Sequence, residues 1–271
     1  MMAVMGEIDF ARRFGGIARL YGSAGLARLA AAHVCVIGIG GVGSWAAEAL
    51  ARSAVGRITL VDLDHVAESN TNRQIHAQDG EFGKAKVLAM AQRIRAINPA
   101  CIVNGIEEFV TAENVALLLP QSGQCGIFDC VLDAIDNVRA KAALIAHCRA
   151  LGIAIVTTGG AGGRRDPTRI QVADLAHTQQ DALASKLRAR LRKEYGFTRD
   201  PKKKFGIDCV YSEEPIARPE SAGPACDLDE APGVAGGPQG LNCAGYGSSV
   251  AVTATFGLVA AARVLERLIH S

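Results

Sequence analysis

Short apolar runs alternate with segments of helical periodicity through the first 160 residues of the chain. Runs rich in β-branched residues predict strands at 33–37, 57–61, 101–106, 128–132 and 153–157. Apolar positions spaced three or four residues apart predict the intervening helices at 44–52, 84–97, 111–118 and 138–150. Regular strand–helix alternation predicts an α/β fold with a doubly wound, mostly parallel, Rossmann-like sheet.

The pattern changes after residue 160. It predicts strands at 169–172 and 207–212 with a helix at 181–195 between them, so this half should add antiparallel strands to the sheet. Residues 214–240 are dense in Pro, Gly and Ala and predict a long flexible loop. We expect a single domain over 1–271, with a nucleotide-binding half at 33–160 and a substrate-facing half at 161–271.

An apolar stretch at 248–262 predicts a buried C-terminal helix. No charged residue occurs between Glu230 and Arg263, but the strongly apolar part is shorter than the about 20 residues that a membrane span requires. It also carries Ser, Thr and Gly residues. We therefore expect a core helix and no membrane contact.

Composition narrows the class of protein. Hydrophobic residues make up 49% of the 271 residues and the net charge is +2, which is typical of a compact globular chain and not of a polyanion binder as a whole. Residues 1–13 lack the apolar core of a signal peptide. The eight cysteines include no C-x-x-C pair, and we expect a reducing, cytoplasmic location. Four of them lie in apolar or helical contexts and are expected to be buried: Cys35, Cys101, Cys130 and Cys148.

A glycine string, V-C-V-I-G-I-G-G-V-G-S-W at 34–45, joins the first predicted strand to the first predicted helix. Its glycines are Gly38, Gly40, Gly41 and Gly43. Such a turn lets phosphate approach the backbone at a helix N-terminus. Asp62 ends the next strand, where a carboxylate can accept ribose hydroxyls. Alone, these features point to NAD or FAD.

A second string, D-L-D-H-V-A-E-S-N-T-N-R-Q at 62–74, changes that interpretation. It adds a cluster of polar side chains that a dinucleotide site does not need: Asp64, Asn70, Asn72, Arg73 and Gln74. Lys86 follows on the next predicted helix. An arginine and a lysine near a phosphate-binding turn suit a triphosphate, because more charge must be neutralised. The sequence therefore favours ATP.

Two carboxylates are candidates for a Mg²⁺ ligand. Asp136 lies just past the strand at 128–132, at the carboxyl edge where ligands bind in such sheets, and a carboxylate beside phosphates suits Mg²⁺. Asp133 at the same strand end is the competing candidate. For Asp133, a structural role as a cap or turn carboxylate is about as well supported as a direct role in the site. We therefore favour Asp136 as the Mg²⁺ ligand.

The strings G-I-G-G-V-G, D-L-D, N-x-N-R-Q, D-A-I-D-N and Lys86 resemble the adenylation fold of the E1-like superfamily, which includes ubiquitin-activating enzymes and bacterial activators of sulfur-carrier proteins. This resemblance implies that Arg73 and Lys86 bind the triphosphate and that Asp136 holds Mg²⁺. It implies acyl-adenylate formation, in which a carboxylate attacks the α-phosphorus and pyrophosphate leaves. It also implies that Arg13, or the adjacent Arg12, reaches the ATP of a partner subunit.

A closer resemblance, over nearly the whole chain, is to the tRNA threonylcarbamoyladenosine dehydratase family. It is carried by R-F-G-G-I-A-R-L-Y-G at 13–22, T-N-R-Q-I-H-A at 71–77, T-T-G-G-A-G-G at 157–163, G-I-D-C-V-Y-S at 206–212 and T-A-T-F-G at 253–257. It implies ATP-dependent cyclisation of threonylcarbamoyladenosine at position 37 of tRNA, a homodimer, and a link to a cysteine-desulfurase sulfur-acceptor protein.

Three alternatives remain open: an activator of a ubiquitin-like sulfur carrier, an NAD-dependent oxidoreductase, and a non-catalytic tRNA-binding module. Activators of this fold commonly carry two C-x-x-C zinc pairs, which this chain lacks, so no zinc is expected. An intramolecular attack needs no enzyme nucleophile, because the attacking atom is tethered.

A protein that binds tRNA is expected to carry a cluster of basic residues, because the RNA phosphates are negatively charged. Nine basic and two acidic residues lie between Lys186 and Lys204. The expected tRNA contacts are Arg164, Arg165, Lys202, Lys203 and Lys204. A solvated helix face followed by a basic loop is the alternative interpretation of this charge.

Two further site predictions concern cysteines and a cation. Cys209, Cys226 and Cys243 are the remaining candidates for a reactive thiol. We expect no catalytic cysteine, because no histidine or basic residue adjoins Cys226 to lower its pKa. Carbonyl groups at 157–160 are a candidate site for a monovalent cation.

Overall fold

The computed structural model describes residues 9–120, 128–217 and 246–270. A seven-stranded sheet in the order β3-β2-β1-β4-β5-β7-β6 forms its centre. The strands are β1 (His33–Ile37), β2 (Arg57–Val61), β3 (Ile102–Ile106), β4 (Cys130–Asp133), β5 (Ala154–Thr158), β6 (Ile170–Asp174) and β7 (Asp208–Ser212). All neighbouring strands are parallel except β6 and β7, which pair antiparallel. The predicted fold class is confirmed.

Helices cover both faces of the sheet. They are α1 (Phe10–Ala31), α2 (Gly43–Arg52), α3 (Lys86–Ile97), α4 (Val115–Leu118), α5 (Val138–Leu151), α6 (Ala182–Glu194) and α7 (Val250–His270). One apolar core lies between the sheet and α2, α3 and α7, and the other lies between the sheet and α4, α5 and α6. Side chains of β1 alternate between them, because successive strand residues point to opposite faces.

Helix α1 is an element that the hydrophobic pattern does not predict. Glycine, alanine and arginine dominate its sequence, and only Phe14, Gly25 and Leu29 are buried. Its start is nevertheless well defined, since the Asp9 side chain accepts a hydrogen bond from the Arg12 backbone N–H. The positive φ of 78° at Gly22 kinks the helix.

Helix α7 is the predicted C-terminal helix, and it packs against α2. Gly257 makes this close crossing possible, because a Cβ atom there would lie 2.4 Å from the Val42 carbonyl oxygen. Val252, Phe256 and Ala260 are fully buried in the same contact region. Within the described residues, the structure has no helix with the length and apolarity needed to cross a membrane.

Most of the predicted loop at 214–240 lies outside the described residues. Its described start and the segment after it are connected through Gly163, which donates a backbone hydrogen bond to Gly247 and accepts one from Ala217. Both segments therefore lie next to the glycine-rich turn that follows β5.

Candidate active site

The order of the strands reverses between β1 and β4, which are parallel, and the site residues lie where these two strands end. Chain connections run outward on either side of this pair, which makes it the point where such sheets bind ligands. Two backbone hydrogen bonds fix the ends of the strands: Gly38 N–H donates to Val61 O and Ala134 N–H donates to Ile37 O.

The turn after β1 requires glycine at two positions. Gly38 has a φ of 85°, and a Cβ atom there would lie 2.9 Å from Ile135 Cγ2. A Cβ atom on Gly43 would lie 1.8 Å from the Gly38 carbonyl oxygen. Helix α2 starts at Gly43 with no side-chain cap. The Ser44 N–H donates to the Gly40 carbonyl at 3.1 Å. The N-terminal end of the helix dipole still favours an anionic phosphate here.

Arg73 and Gln74 line this turn. A Cβ atom on Gly41 would lie 3.3 Å from Arg73 Cγ, and one on Gly40 would lie 4.0 Å from Gln74 Nε2. Gln74 is buried, and its Oε1 accepts no hydrogen bond from the described residues. A buried acceptor without a donor is costly unless a ligand or water supplies one, so this corner fits a hydrogen-bonding ligand such as a nucleotide.

Asp62 and Asp64 have different environments at the end of β2. Asp62 is buried, and its carboxylate accepts hydrogen bonds from the backbone N–H groups of Ile39 at 2.6 Å and Asp64 at 2.9 Å. Burial raises the pKa of Asp62, opposed by Lys86 and by these N–H donors. The Asp64 side chain is half exposed and lies 2.7 Å from the buried Lys86 Nζ. Asp62 thus shapes the glycine turn, while the half-exposed Asp64 carboxylate holds the buried Lys86 ammonium.

The segment before α3 is held in place by backbone and side-chain hydrogen bonds. Asn70 is buried and accepts a hydrogen bond from Ala67 N–H, and Asn72 Nδ2 donates to Ser248 O at 2.9 Å. Arg73 Nη1 donates to Asn72 Oδ1 at 2.9 Å, and Trp45 Nε1 donates to the Arg73 carbonyl at 3.0 Å. The structure therefore brings the predicted polar cluster to one edge of the sheet.

Asp133 and Asp136 are clearly distinguished by their surroundings. Asp133 is fully buried, lies 2.9 Å from Lys141 Nζ and accepts a hydrogen bond from Thr157 Oγ1 at 2.7 Å. Asp136 is partly exposed, and none of the described residues hydrogen-bonds its carboxylate. Asp136 is thus the carboxylate available to a ligand, and Asp133 is a buried structural group.

Asp136 fits a Mg²⁺ ion that is shared with phosphates. In the part of the chain that the structure describes, no three His, Cys, Asp or Glu side chains converge as a metal site. Mg²⁺ in nucleotide sites typically takes one or two carboxylates and completes its shell with phosphates and water. The Asp136 carboxylate, which is accessible and accepts no hydrogen bond from the described residues, is consistent with that arrangement.

Several residues that contact the predicted site residues were not themselves predicted. Trp45, Lys141, Ser248 and Thr253 contact the predicted residues only through the folded chain, and Thr253 Cβ would lie 3.4 Å from a Cβ atom on Gly41. The T-A-T-F-G string containing Thr253 was a motif that could have indicated one of them.

Arg13 lies away from the glycine turn of its own chain. Its Nη1 donates to Ile97 O at 2.9 Å, at the opposite end of α3 from Lys86. A helix of this length, 12 residues, is about 18 Å long. The adjacent Arg12 is exposed and takes part in the α1 cap through its backbone. Arg13 is therefore not placed at the glycine turn of its own chain.

The five predicted tRNA contacts fall into three environments. Arg164 is buried and its Nη2 lies 3.1 Å from Asp181 Oδ2. Arg165 is exposed near the glycine-turn edge, where its backbone N–H donates to the Glu214 carboxylate. Lys202, Lys203 and Lys204 are exposed in the loop that leads into β7, toward the edge where the parallel strands begin.

The loop at 199–206 is well organised around Asp174. The Asp174 carboxylate accepts hydrogen bonds from the backbone N–H groups of Phe205, Gly206 and Ile207. The Arg192 guanidinium lies 5.4 Å from the centre of the Phe205 ring. These contacts hold the three lysines on a defined surface.

The turn at 157–160 uses its polar groups internally. Thr157 Oγ1 and Thr158 Oγ1 donate to the side chain and the carbonyl of Asp133, and Gly160 N–H donates to Asp181 Oδ2 at 3.0 Å. The binding of a monovalent cation by the carbonyl groups of this turn stays a prediction.

Comparison with known proteins gives the family. The family model described as ThiF family matches residues 14–271. The chain belongs to the ThiF family. It is 52% identical over 268 residues to the tRNA threonylcarbamoyladenosine dehydratase of Escherichia coli, which covers 98% of this chain and 97% of the relative.

Solved structures of that E. coli enzyme also resemble this ThiF-family chain. The complex with ATP has a TM-score of 0.83 and 48% identity, covering 97% of this chain and 96% of the other. The complex with AMP has a TM-score of 0.84 and 49% identity, with the same coverage of both chains.

The cysteines of this ThiF-family chain that the structure describes are all buried: Cys35, Cys101, Cys130, Cys148 and Cys209. Burial raises the pKa of the Cys209 thiol strongly. The thiolate is the nucleophilic form, so Cys209 is a poor nucleophile. Cys226 and Cys243 lie outside the described residues.

Acidification should loosen the segment that carries the nucleotide residues. His76 is buried next to Gln74, and burial, followed by the positive charge of Lys86, lowers its pKa from 6.5 to about 4. The unfolded chain therefore binds a proton at a higher pH than the folded one. Stability from neutral His76 is complete above pH 6.5 and is lost as the pH falls toward 4, by up to about 3 kcal/mol.

Urea unfolding at pH 7.5 and pH 4.5 measures this effect. His76→Gln should show a smaller loss of unfolding free energy between the two pH values than the wild type does. His33, whose pKa is also lowered to about 4, remains in both proteins, so the difference isolates His76. An equal loss in both proteins would contradict the assignment.

Proposed function

We propose that this ThiF-family protein is an ATP-dependent enzyme that dehydrates threonylcarbamoyladenosine at position 37 of tRNA to its cyclic form, through an acyl-adenylate. The observation that carries the proposal is the 52% identity, over 98% of the chain, to an E. coli enzyme of that name. Structures of the same enzyme with ATP and with AMP, which resemble this chain over 97% of its length, support nucleotide chemistry at the glycine turn.

The proposed reaction has two steps. An oxygen of the threonylcarbamoyl carboxylate attacks the α-phosphorus of ATP, and the bond from that phosphorus to the pyrophosphate oxygen breaks. A nucleophilic atom of the same modification then attacks the activated carbonyl, and AMP leaves with one of the original carboxylate oxygens. The attacking group loses a proton, so the nucleoside loses one water while ATP becomes AMP and pyrophosphate.

Residues of the glycine turn and its neighbours supply positioning and charge. The N-terminus of α2 with Gly38, Gly40, Gly41 and Gly43 receives the phosphates. Arg73 and Lys86 stabilise the charge that develops as pyrophosphate leaves. Lys86 is paired with Asp64 and buried, so it is already oriented before the nucleotide binds. Asp62, Asp64, Asn70, Asn72 and Gln74 complete the nucleotide pocket.

Asp136 is the proposed ligand of Mg²⁺. Its accessible carboxylate, next to the segment that packs on Gly38, would hold the ion against the phosphates. When bound, Mg²⁺ neutralises phosphate charge and orients the α-phosphorus for in-line attack.

The substrate and partner surfaces are proposals of the same kind. Arg165 and the lysines at 202–204 offer exposed positive charge for tRNA, and Arg164 is the weaker candidate because it is buried. Halves 33–160 and 161–271 form a single domain that works in the cytoplasm as a homodimer, with Arg13 reaching the partner's ATP. A cysteine-desulfurase sulfur-acceptor protein and a monovalent cation at 157–160 remain proposed partners, and no zinc is proposed.

Measurement of AMP and pyrophosphate release tests the proposal. With ATP and Mg²⁺, release should require tRNA carrying threonylcarbamoyladenosine, and the same tRNA without the modification should give only background. Release driven instead by a ubiquitin-like sulfur-carrier protein would favour the alternative activity. Failure of both substrates to stimulate release would contradict adenylation.

A further inference from the structure

A fully buried ion pair stands beside the segment 134–137 that carries Asp136. Lys141 Nζ lies 2.9 Å from Asp133 Oδ2, and both side chains are completely inaccessible to solvent. A buried ion pair often adds no stability over apolar side chains of similar volume, because both charges must leave water. A role other than stability therefore has to be considered for it.

The pair holds the residue immediately before Asp136 by both of its backbone polar groups. Lys141 Nζ donates to the Ile135 carbonyl at 2.8 Å. The Ile135 N–H donates to Asp133 Oδ1 at 3.3 Å. Asp133 thus holds the peptide unit before Ile135, and Lys141 holds the peptide unit that links Ile135 to Asp136.

The residue after Asp136 is fixed as well. Asn137 Oδ1 accepts a hydrogen bond from Ala140 N–H at 3.0 Å and so caps the start of α5, the helix that carries Lys141. Asp136 therefore lies between two anchored residues while its own carboxylate stays accessible.

The same segment forms a wall of the glycine turn. A Cβ atom on Gly38 would lie 2.9 Å from Ile135 Cγ2 and 3.0 Å from the carbonyl carbon of Ala134. The two segments are packed so closely that a side chain at Gly38 would not fit between them. A shift of the segment 134–137 would change the position of Asp136 relative to the phosphate-binding turn, and shifts of about 1 Å can cost about 10²-fold in rate.

We infer that Lys141 and Asp133 are positioning residues that set the place of the Asp136 carboxylate against the bound nucleotide. This inference rests on the proposed function, in which Asp136 holds Mg²⁺ on ATP. The position of the Asp136 carboxylate is then set by two buried charged side chains that do not contact the substrate.

The test uses a charge-free pair, Asp133→Asn together with Lys141→Met. Lys141→Met alone would leave the Asp133 carboxylate buried without a counter-charge, which strongly destabilises a fold. The double variant removes both charges at similar volume and removes the donor to the Ile135 carbonyl. It should retain a cooperative thermal transition. It should also bind ATP in the absence of Mg²⁺, as measured by the fluorescence of Trp45, the chain's one tryptophan.

Turnover of modified tRNA should fall about 10- to 100-fold in this double variant, with a higher Mg²⁺ concentration needed for half-maximal rate. Adding Asp136→Ala to it should cause no further loss beyond that of Asp136→Ala alone, since both changes act through one carboxylate. Lys141→Arg, which keeps the charge and a donor, should retain most of the activity. As a control for stability alone, Asp208→Asn weakens the ion pairs with Arg263 and Arg267 and should lower Tm without moving the Mg²⁺ dependence.

Two outcomes would overturn the inference. One is wild-type turnover and wild-type Mg²⁺ dependence in the charge-free pair while Asp136→Ala is inactive. The other is a loss that multiplies with that of Asp136→Ala, which would show that the pair acts elsewhere. Full activity of Asp136→Ala itself would instead contradict the proposed function, so the two failures are distinguishable.

Discussion

Asp136→Ala is expected to lower the turnover of threonylcarbamoyl-modified tRNA by about 10²- to 10³-fold, in the range seen when one group that stabilises transition-state charge is removed. The structure leaves Asp136 accessible, while Asp133 is buried against Lys141 and Asp64 is paired with Lys86, so neither of these two carboxylates is free to take its place. Tm should change little, because none of the described residues depends on the Asp136 carboxylate for a hydrogen bond. Single-turnover cyclisation at saturating ATP and Mg²⁺ measures the effect.

Two variants make this result specific. Asp136→Asn keeps the shape and removes the charge, and it should be nearly as impaired as Asp136→Ala. Glu113→Ala removes a different carboxylate, which is exposed and forms an ion pair with the exposed Arg139, and should leave turnover unchanged. Turnover within about twofold of wild type in Asp136→Ala would sink the assignment of the Mg²⁺ ligand.

Gly43→Ala should have an effect of similar size on ATP binding. The added Cβ atom would lie 1.8 Å from the Gly38 carbonyl oxygen, so the turn and the start of α2 must separate. The phosphate-binding N–H groups move with them. We expect ATP affinity to fall by about 10²-fold, the scale of a 1 Å displacement at a reacting centre, as measured by titration of Trp45 fluorescence.

Gly15→Ala provides the matched control. Gly15 lies within α1, where an added Cβ atom meets only the flexible Arg19 Nη1 at an ordinary 3.6 Å. Alanine is the better helix former by about 1 kcal/mol, so Tm should rise slightly and ATP affinity should stay the same. Equal ATP affinities in Gly43→Ala and Gly15→Ala would mean that the glycine turn does not hold the nucleotide.

Much of the central sheet could be predicted from the sequence. Strands β1 and β2 have the predicted bounds, 33–37 and 57–61, because strands covered on both faces are continuous apolar runs. The bounds of β4 and α3 differ from the predicted ones by one or two residues, as helix and strand ends usually do. Helix α1 could not be predicted, since few of its residues are buried and its glycines oppose helix propensity.

The candidate site was predictable where its residues are close in sequence or, like Asp136, directly follow a predicted strand. The glycine string and the segment 62–74 each present several polar or small residues in a short stretch. By contrast, Asn72 and Ser248 are separated by 176 residues, and only the folded chain brings them together. The sequence also could not predict which charged residues are exposed. Arg164 and Arg165 are neighbours, yet Arg164 is buried against Asp181 and Arg165 is exposed.

The proposed dehydration of threonylcarbamoyladenosine can be measured directly by mass spectrometry of tRNA nucleosides. Purified tRNA carrying threonylcarbamoyladenosine is incubated with the protein, ATP and Mg²⁺, then digested to nucleosides. We expect the open nucleoside to be replaced by one that is lighter by one water, and we expect Asp136→Ala to leave the open nucleoside unchanged. Persistence of the open nucleoside with the wild-type protein, under conditions where ATP is bound, would show that the protein does not catalyse this dehydration.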